Sequence, residues 1–496
     1  MSTLNAAIEL LTPNLALHPD KTAYYCGDRA LSFRDLDKAC RRFARMLQKL
    51  GIAPGERVLI ALPDCLAFPV AFLGCLLTGA VAVPAGSAPG DEDCTYIIED
   101  CGARLVVTNA ELASQCTAVG TATKIIVRDD DGSPVCSNVS GGIENHYQPA
   151  DCDFAYMLYS SGSTGKPKGV PHFHKSLLLP CDLVGKSVLG ITGDDIIFST
   201  SKISFAYGLI NSLAFPLRFG ATAVLHPGKP DPGPILEIIR LLKPSIFFSV
   251  PAIYSRIILS RPNGELELPM RICCSAGEAL PAAVFEEWQL LTGLEILDGI
   301  GSTEMSYHFM SNVPGRAVPG SAGRLVPGYR ARLVDDSGND VPAGCEGNLL
   351  ISGETRSPCY WNMPEKSAET MLPDGFIRTG DIFVEKNGFY YHRGRSDDMI
   401  KTDGRWVSPL AVEDALRCHP DVADCAVTAV SAGSFVKPGA FVVLKMGTAR
   451  TPYLPLEMRA HVKARLPAYM CPVRITFVEE LPRTSTGKIQ RFRLRE

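Results

Sequence analysis

The chain carries almost no net charge: 49 Lys and Arg stand against 53 Asp and Glu over 496 residues, a formal balance of −4. That excludes a polybasic nucleic-acid binder and gives no pull toward an anionic membrane surface. It also lacks closely spaced thiols. There are 17 cysteines, an odd number, yet no C-x-x-C pair occurs, and the adjacent Cys273 and Cys274 sit in an apolar run. Structural zinc and a secreted disulfide framework both need another pattern, so these residues read as buried, reduced thiols acting as small hydrophobes. The opening MSTLNAAIELLTPNLALHPDK has no basic stretch followed by a long apolar core. A secretory leader is therefore not expected, and the expected location is the cytoplasm. Internal repeats and low-complexity tracts are missing as well.

One apolar stretch imitates a membrane span. Cys65 to Gly90 runs 26 residues without a charge, beyond the roughly 20 needed to cross a bilayer. Pro69, Pro84, Pro89 and several glycines interrupt it. The favoured reading is a buried helix over about 66–78 followed by a buried strand over about 81–84.

What is present is an alternation of helix-like and strand-like stretches. Ser32 to Leu50 reads as an amphipathic helix: Ser32 and Asp35 have capping-box spacing, Leu36, Cys40, Phe43 and Leu47 share a face, and Gly51 ends it. Short continuous runs rich in Val and Ile recur at 57–62, 104–108, 124–127, 195–199, 222–225, 245–250, 271–274 and 295–297. Such runs suit parallel strands buried on both faces. The predicted class is α/β, with a large N-terminal domain of layered sheets over 1–395 and a β-rich subdomain at about 314–395. The polar, charge-rich GRSDDMIKTDGR (394–405) reads as a linker. A small α+β C-terminal domain is expected over 396–496.

Four segments carry chemistry. Tyr159 to Val170, YSSGSTGKPKGV, places six consecutive Ser, Thr or Gly residues (160–165) before two lysines. Glycine permits close backbone approach to a phosphate, hydroxyls donate, and lysine adds charge; because Pro167 follows Lys166, it is not a Walker loop. DGIGSTE (298–304) puts a carboxylate behind a Gly-rich turn, a natural Mg²⁺ ligand beside phosphates. Thr379-Gly380-Asp381 is read as a turn with an Asp suited to ribose hydroxyls. PRTSTGKIQR (482–491) reads by itself as an exposed basic tail.

In this order, YSSGSTGKPKGV, DGIGSTE, TGD, GRSDDMIK and PRTSTGK resemble the acyl-adenylate-forming superfamily of acyl-CoA synthetases, adenylation domains and luciferases. FPVAFLG (68–74), FAYGLINSLAFPL (205–217), FFSVPAIY (247–254), SAGEALP (275–281) and DGRWVSP (403–409) are most similar to benzoate–CoA ligases. The resemblance implies ATP, Mg²⁺ and coenzyme A, and two half-reactions: a carboxylate attacks the α-phosphorus to give acyl-AMP, then a thiol displaces AMP. A carrier-protein thiol in place of CoA is the alternative, with a monomer or homodimer and no nucleic acid or membrane partner.

By the same resemblance, Ser161, Ser163, Thr164, Lys166 and Lys168 hold the β- and γ-phosphates. Thr303 touches the α-phosphate, and Glu304 takes the Mg²⁺. Gly277, Glu278, Asp298, Gly299 and Ile300 line the adenine slot, and Asp381 and Arg395 bind ribose. Lys488 bridges the carboxylate and α-phosphate. A hinge at Asp397 later swings the small, mobile domain to bring Gly404 and Trp406 toward the pantetheine tunnel. Ala206, Tyr207, Gly301, Tyr307 and His308 surround an aromatic ring.

That pocket departs from its relatives. Benzoate ligases read STEMLHIF where this chain reads STEMSYHF (302–309), so an apolar position becomes His308. Either His308 or Tyr307 meets a hydroxy or amino substituent, or His308 bonds a nearby backbone carbonyl and plain benzoate fits. His172 and His174 read as ordinary loop histidines, since no further metal ligands accompany them. Pro482 with Gly487-Lys488 fits the P-x-x-x-x-G-K pattern of acetylated ligases, and acetylation would remove the charge at Lys488.

Overall fold

The structure is a computed structural model that describes residues 4–85, 92–115, 123–127, 141–160, 166–260, 266–402, 405–432, 435–483 and 489–494. Two large sheets build the N-terminal part. In the nine-stranded sheet, Ile296–Gly301, Ile272–Ser275, Ile246–Ser249, Ile196–Ser199, Thr222–Leu225 and Thr22–Cys26 run parallel in that spatial order, with antiparallel strands at both edges. In the six-stranded sheet, Thr123–Ile126, Leu105–Thr108, Arg57–Ala61, Val81–Pro84 and Phe154–Ser160 are parallel, and Lys168–Phe173 closes it antiparallel. Every short Val/Ile run read from the sequence is a strand in one of these sheets.

The stretch that imitates a membrane span supplies a buried helix and a strand of the six-stranded sheet. Its helix, Ala67–Thr78, is buried at every residue and ends at Gly79 with φ +77, leading directly into Val81–Pro84. No described helix is long and apolar enough to cross a membrane. The neighbouring helix Phe33–Lys49 begins where its cap chemistry requires: Ser32 Oγ accepts the Asp35 amide at 3.1 Å. The reciprocal leg differs from a true capping box, because Asp35 reaches only the Ser32 hydroxyl, at 2.7 Å. The two helices approach closely at Gly74, where a Cβ would lie 2.7 Å from a ring carbon of Phe43. Such contact needs glycine.

A four-stranded antiparallel sheet (Arg330–Val334, Glu346–Ser352, Ile377–Lys386, Phe389–Arg395) forms the β-rich subdomain. Beyond it, Val422–Ala432, Phe435–Leu444 and Arg474–Phe477 make a three-stranded sheet, accompanied by helices Pro409–Arg417 and Leu454–Lys463. The fold is thus α/β with a small α+β C-terminal domain.

Three sequence expectations need correction. The charge-rich 394–405 stretch is not an open linker: Phe389–Arg395 ends in it, Ser396–Asp398 forms one 3-10 turn, and Ile400–Thr402 pairs with Arg405–Val407. Asp397, Lys401 and Arg405 are exposed on it, while Arg395 and Asp398 are half-buried. Thr379-Gly380-Asp381 is no turn either, but lies inside the strand Ile377–Lys386, where Gly380 takes φ +74 and the ladder slips. Asp298 to Gly301 belongs to the strand Ile296–Gly301 instead of following it.

No disulfide is formed among the described cysteines. Most are buried, and burial pushes the Cys101 and Cys273 thiols up to about 12.

Candidate active site

Lys166, Ala206, Tyr207, Gly277, Glu278, Thr303 and Glu304 follow the C-terminal ends of parallel strands, where open α/β sheets bind ligands, while Asp381 and Arg395 lie on the antiparallel four-stranded sheet. Ser161, Ser163, Thr164, Gly404 and Lys488 lie outside the described residues. Lys166 and Lys168 follow the strand Phe154–Ser160, with Lys166 Nζ 5.2 Å from the Tyr96 ring centroid and Lys168 Nζ 4.6 Å from that of Tyr360. Burial draws the Lys168 ammonium below its ordinary range, opposed by the Glu304 charge.

The strand Ile296–Gly301 delivers a 3-10 turn, Thr303–Met305, that is fastened at almost every residue. The Thr303 carbonyl accepts from His172 Nε2 at 2.8 Å. The Glu304 carbonyl accepts the Ser357 amide at 2.7 Å, and Glu304 Oε1 accepts the Tyr360 hydroxyl at 2.7 Å. Ser306, at φ +63, bonds Tyr156 Oη at 2.8 Å and donates to the Ser176 carbonyl at 2.7 Å. A non-glycine residue in that region is strained and is held there by its surroundings. His172 is not a loop residue, whereas His174 does sit in the turn between the strand Lys168–Phe173 and the helix Lys175–Pro180. His172 is wholly buried in the strand Lys168–Phe173, stacked on Tyr156 at 5.0 Å, while His174 Nδ1 accepts the Ala6 amide at 3.2 Å. Burial holds both imidazoles neutral, pulled down to about 4. No group of three or more His, Cys, Asp or Glu placed to hold a metal occurs among the described residues.

Asp381 and Arg395 meet as neighbours on paired strands. Arg395 Nη1 donates to the Thr379 carbonyl at 2.9 Å and lies 3.5 Å from Asp381 Oδ1, which also faces His392 Nε2 at 3.2 Å. Burial lowers the Arg395 guanidinium, but Asp381, Asp397 and Glu304 outweigh it and leave it above its ordinary range. Gly380 makes this possible: a Cβ there would sit 2.9 Å from Arg395 Nη2. Asp397 is exposed in the following turn, and Trp406 is 54% exposed with Lys401 over its ring at 5.5 Å.

Around the expected adenine slot, Gly277 takes φ +91 and is open to solvent. The Glu278 carboxylate reaches across to the C-terminal domain: Oε1 accepts the Ile489 amide at 3.0 Å, and Oε2 takes Arg483 Nη1 at 3.4 Å. Arg483 and Ile489 form an antiparallel bridge with each other. Asp298 is buried, its Oδ2 accepting the Leu280 amide at 3.3 Å while Oδ1 has no partner, and burial raises its carboxyl to about 8.

The ring pocket is a stack. His308 lies 5.1 Å from Tyr207 and 4.4 Å from Tyr307, both within 19° of parallel, and Phe248 meets Tyr207 edge-on at 5.9 Å. Gly299 and Gly301 leave room, since a Cβ would lie 2.8 Å from His308 Nδ1 or 2.3 Å from the Tyr307 carbonyl oxygen. Ala206 and Tyr207 begin a short helix that widens into a π-helix over Ile210–Ala214. That turn brings in Asn211, which the sequence reading did not single out; Tyr307 Oη donates to its Oδ1 at 2.6 Å. No carbonyl satisfies His308: its Nε2, the Tyr207 hydroxyl and Asn211 Nδ2 are all buried without hydrogen-bond partners. Burial drives the His308 imidazole down to about 3, so it is neutral.

Residues 11–361 match the family described as AMP-binding enzyme, and residues 411–488 match the AMP-binding enzyme C-terminal domain. The benzoate–CoA ligase of Thauera aromatica is 40% identical, covering 99% of this chain and 95% of its own. The 4-hydroxybenzoate–CoA/benzoate–CoA ligase of Rhodopseudomonas palustris is 36% identical, covering 99% and 94%. Among solved structures, the anthranilate CoA ligase AuaEII in complex with anthranoyl-AMP superposes with a TM-score of 0.93 at 36% identity, covering 100% of this chain and 97% of that one. Both domain matches and full-length likeness agree with the motifs gathered above, and the chain belongs to the AMP-binding enzyme family, as an AMP-forming acid–thiol ligase of the benzoate–CoA ligase branch that uses ATP, Mg²⁺ and CoA.

Proposed function

We propose that this enzyme activates a hydroxy- or amino-substituted benzoate and transfers it to the thiol of CoA. The observation that carries the reading is the set of unsatisfied polar atoms in the ring pocket, His308 Nε2, Tyr207 Oη and Asn211 Nδ2. A buried polar atom without a partner costs about 1–3 kcal/mol, which a substituent able to donate and accept would recover. The stacked faces of Tyr207, Tyr307 and His308 fit the flat ring itself. With His308 neutral and no cationic side chain among these pocket residues, a polar neutral group is preferred to a second carboxylate. Relatives named for hydroxybenzoate and anthranilate are in keeping with this.

In the mechanism we propose, the domains divide at about 395/396. Lys166 and Lys168, with Ser161, Ser163 and Thr164, neutralise the β- and γ-phosphates, and Thr303 contacts the α-phosphate. Gly277, Glu278, Asp298, Gly299 and Ile300 line the adenine slot, with Glu278 contributing backbone because its carboxylate is engaged elsewhere. Asp381 and Arg395 hold the ribose. Glu304 fits a magnesium ion, since Tyr360 occupies only Oε1 and no described residue bonds Oε2. When bound, that ion screens phosphate charge. Ala206, Gly301 and the stacked rings place the carboxylate, and Lys488 steadies it against the α-phosphorus; the gain is charge neutralisation and proximity. The carboxylate oxygen bonds to phosphorus as the bond to pyrophosphate breaks. The thiolate of CoA then attacks the acyl carbon and AMP leaves, with a turn about Asp397 presenting Gly404 and Trp406 to the pantetheine arm.

Pyrophosphate release across benzoate, its hydroxy and amino isomers, cinnamates and short fatty acids, with and without CoA, tests this. A substituted benzoate should give the highest kcat/KM and require CoA for turnover. His308→Ile should lower its advantage over benzoate by about tenfold or more. Highest kcat/KM on plain benzoate would overturn the polar-substituent reading. A single burst that CoA does not turn over would point to a carrier protein as acceptor.

A further inference from the structure

Lys168 and Glu304 carry opposite charges on neighbouring elements, yet make no ion pair with each other. One residue engages both. The Tyr360 ring lies under the Lys168 ammonium at 4.6 Å, and its hydroxyl donates to Glu304 Oε1 at 2.7 Å. Tyr360 is itself almost fully buried and fixed from behind. Its amide donates to Ser367 Oγ at 2.9 Å, the next amide, of Trp361, donates to the Gly169 carbonyl at 2.8 Å, and the Trp361 indole donates to the Asp100 carbonyl at 3.1 Å. Two residues before Cys359, Ser357 ties the same segment to the Glu304 carbonyl through its amide and to the Pro171 carbonyl through its hydroxyl, at 2.7 and 2.8 Å. The segment 357–361 therefore joins the strand that follows the phosphate loop to the turn that carries Glu304.

We infer that Tyr360 is a positioning residue for the metal–nucleotide: it keeps Lys168 and Glu304 from neutralising each other, and its hydrogen bond orients the Glu304 carboxylate with Oε2 outward. The inference rests on the reading of Lys168 as a phosphate ligand and Glu304 as the magnesium ligand. A cation over a ring face is attracted to it. A hydrogen bond to one carboxylate oxygen fixes the plane of the group and leaves the other oxygen for the ion.

The test is ATP binding by calorimetry on the full chain, titrated with Mg²⁺ and repeated in a chelator, without aryl acid so that no turnover occurs. Tyr360→Phe keeps the ring and loses the hydroxyl. The magnesium concentration that half-maximally tightens ATP binding should rise about three- to tenfold, with metal-free ATP affinity unchanged. Tyr360→Leu should weaken metal-free binding as well, since Lys168 loses its support. Glu304→Gln, run alongside, should abolish the tightening by magnesium. If Tyr360→Phe titrates like the parent chain while Glu304→Gln does not, the positioning role is overturned. If Glu304→Gln also titrates like the parent chain, the metal reading of Glu304 falls and the Tyr360 role falls with it. Equal weakening of metal-free and metal-bound affinity in Tyr360→Phe would mark a general structural defect and also overturn the proposal.

Discussion

The amide of Ile489, the residue after Lys488 in the chain, donates to Oε1 of Glu278 at 3.0 Å. Arg483 holds the other oxygen at 3.4 Å and is tied within its own domain to Asp424 at 2.6 Å. One carboxylate of the large domain thus grips both stems of the segment that bears Lys488.

Glu278→Gln should slow acyl-AMP formation, since the charge that holds Arg483 is gone, while thioester formation from pre-made acyl-AMP is spared. The pair is partly exposed and worth about 1 kcal/mol at most after solvent screening, so a fall of up to about fivefold is expected. Lys488→Ala is the reference for the split and should abolish adenylation alone. Equal loss of both steps in Glu278→Gln, read by pyrophosphate exchange and by CoA-dependent AMP release, would refute the grip.

Asp298 gives a pH prediction with a definite sign. Its folded carboxyl keeps a proton to about 8, against an ordinary value of 3.8. The stability it contributes is fully present below 3.8 and is lost as pH rises through 8. Asp298→Asn has no proton to lose. Its melting temperature relative to the parent chain should climb from pH 4 to about 8 and level off above, and the stability difference can grow by no more than about 1.4 kcal/mol for each pH unit crossed. A difference that does not change with pH would show the carboxyl to be ionised in the folded protein.

Gly208 follows Tyr207 in the pocket helix, and a Cβ there would fall 2.0 Å from the Lys202 carbonyl oxygen. That neighbour is backbone and cannot swing away. Gly208→Ala should destabilise the chain by about 1–3 kcal/mol and raise KM for the aryl acid, with ATP affinity unaffected. Thermal melting beside substrate titration checks it; an unchanged KM would separate this helix from the pocket.

How far the sequence spoke depends on the distance over which each feature is encoded. The helix behind Ser32 and the buried Val/Ile strands are written locally, in caps and runs, and all were legible. Thr303, Glu304, Asp381 and Arg395 could be singled out in the same way, because each stands in a recognisable motif. The bulge at Gly380 was misread as a turn, since glycine between two polar residues looks the same in either setting. Tyr360 was missed for a different reason: its hydrogen bond to Glu304 spans 56 residues, and an isolated tyrosine in a polar segment announces nothing. Asn211 sits within a stretch already noted for its likeness to relatives, but only the wider π-turn brings it under Tyr307. His308 showed its oddity by replacing an apolar residue, whereas its lack of any partner is visible only in three dimensions.

The free thiols have a practical consequence. Of the described cysteines only Cys152, Cys345 and Cys418 are exposed, Cys26 and Cys359 are half-buried, and the others are shielded by burial. Cys345 precedes the turn at Asp397, and Cys418 follows it. With Cys26, Cys116, Cys136, Cys152 and Cys359 changed to serine, a donor and an acceptor dye on Cys345 and Cys418 would report the distance between the two domains in single molecules, through each step of turnover, without introducing a new attachment site.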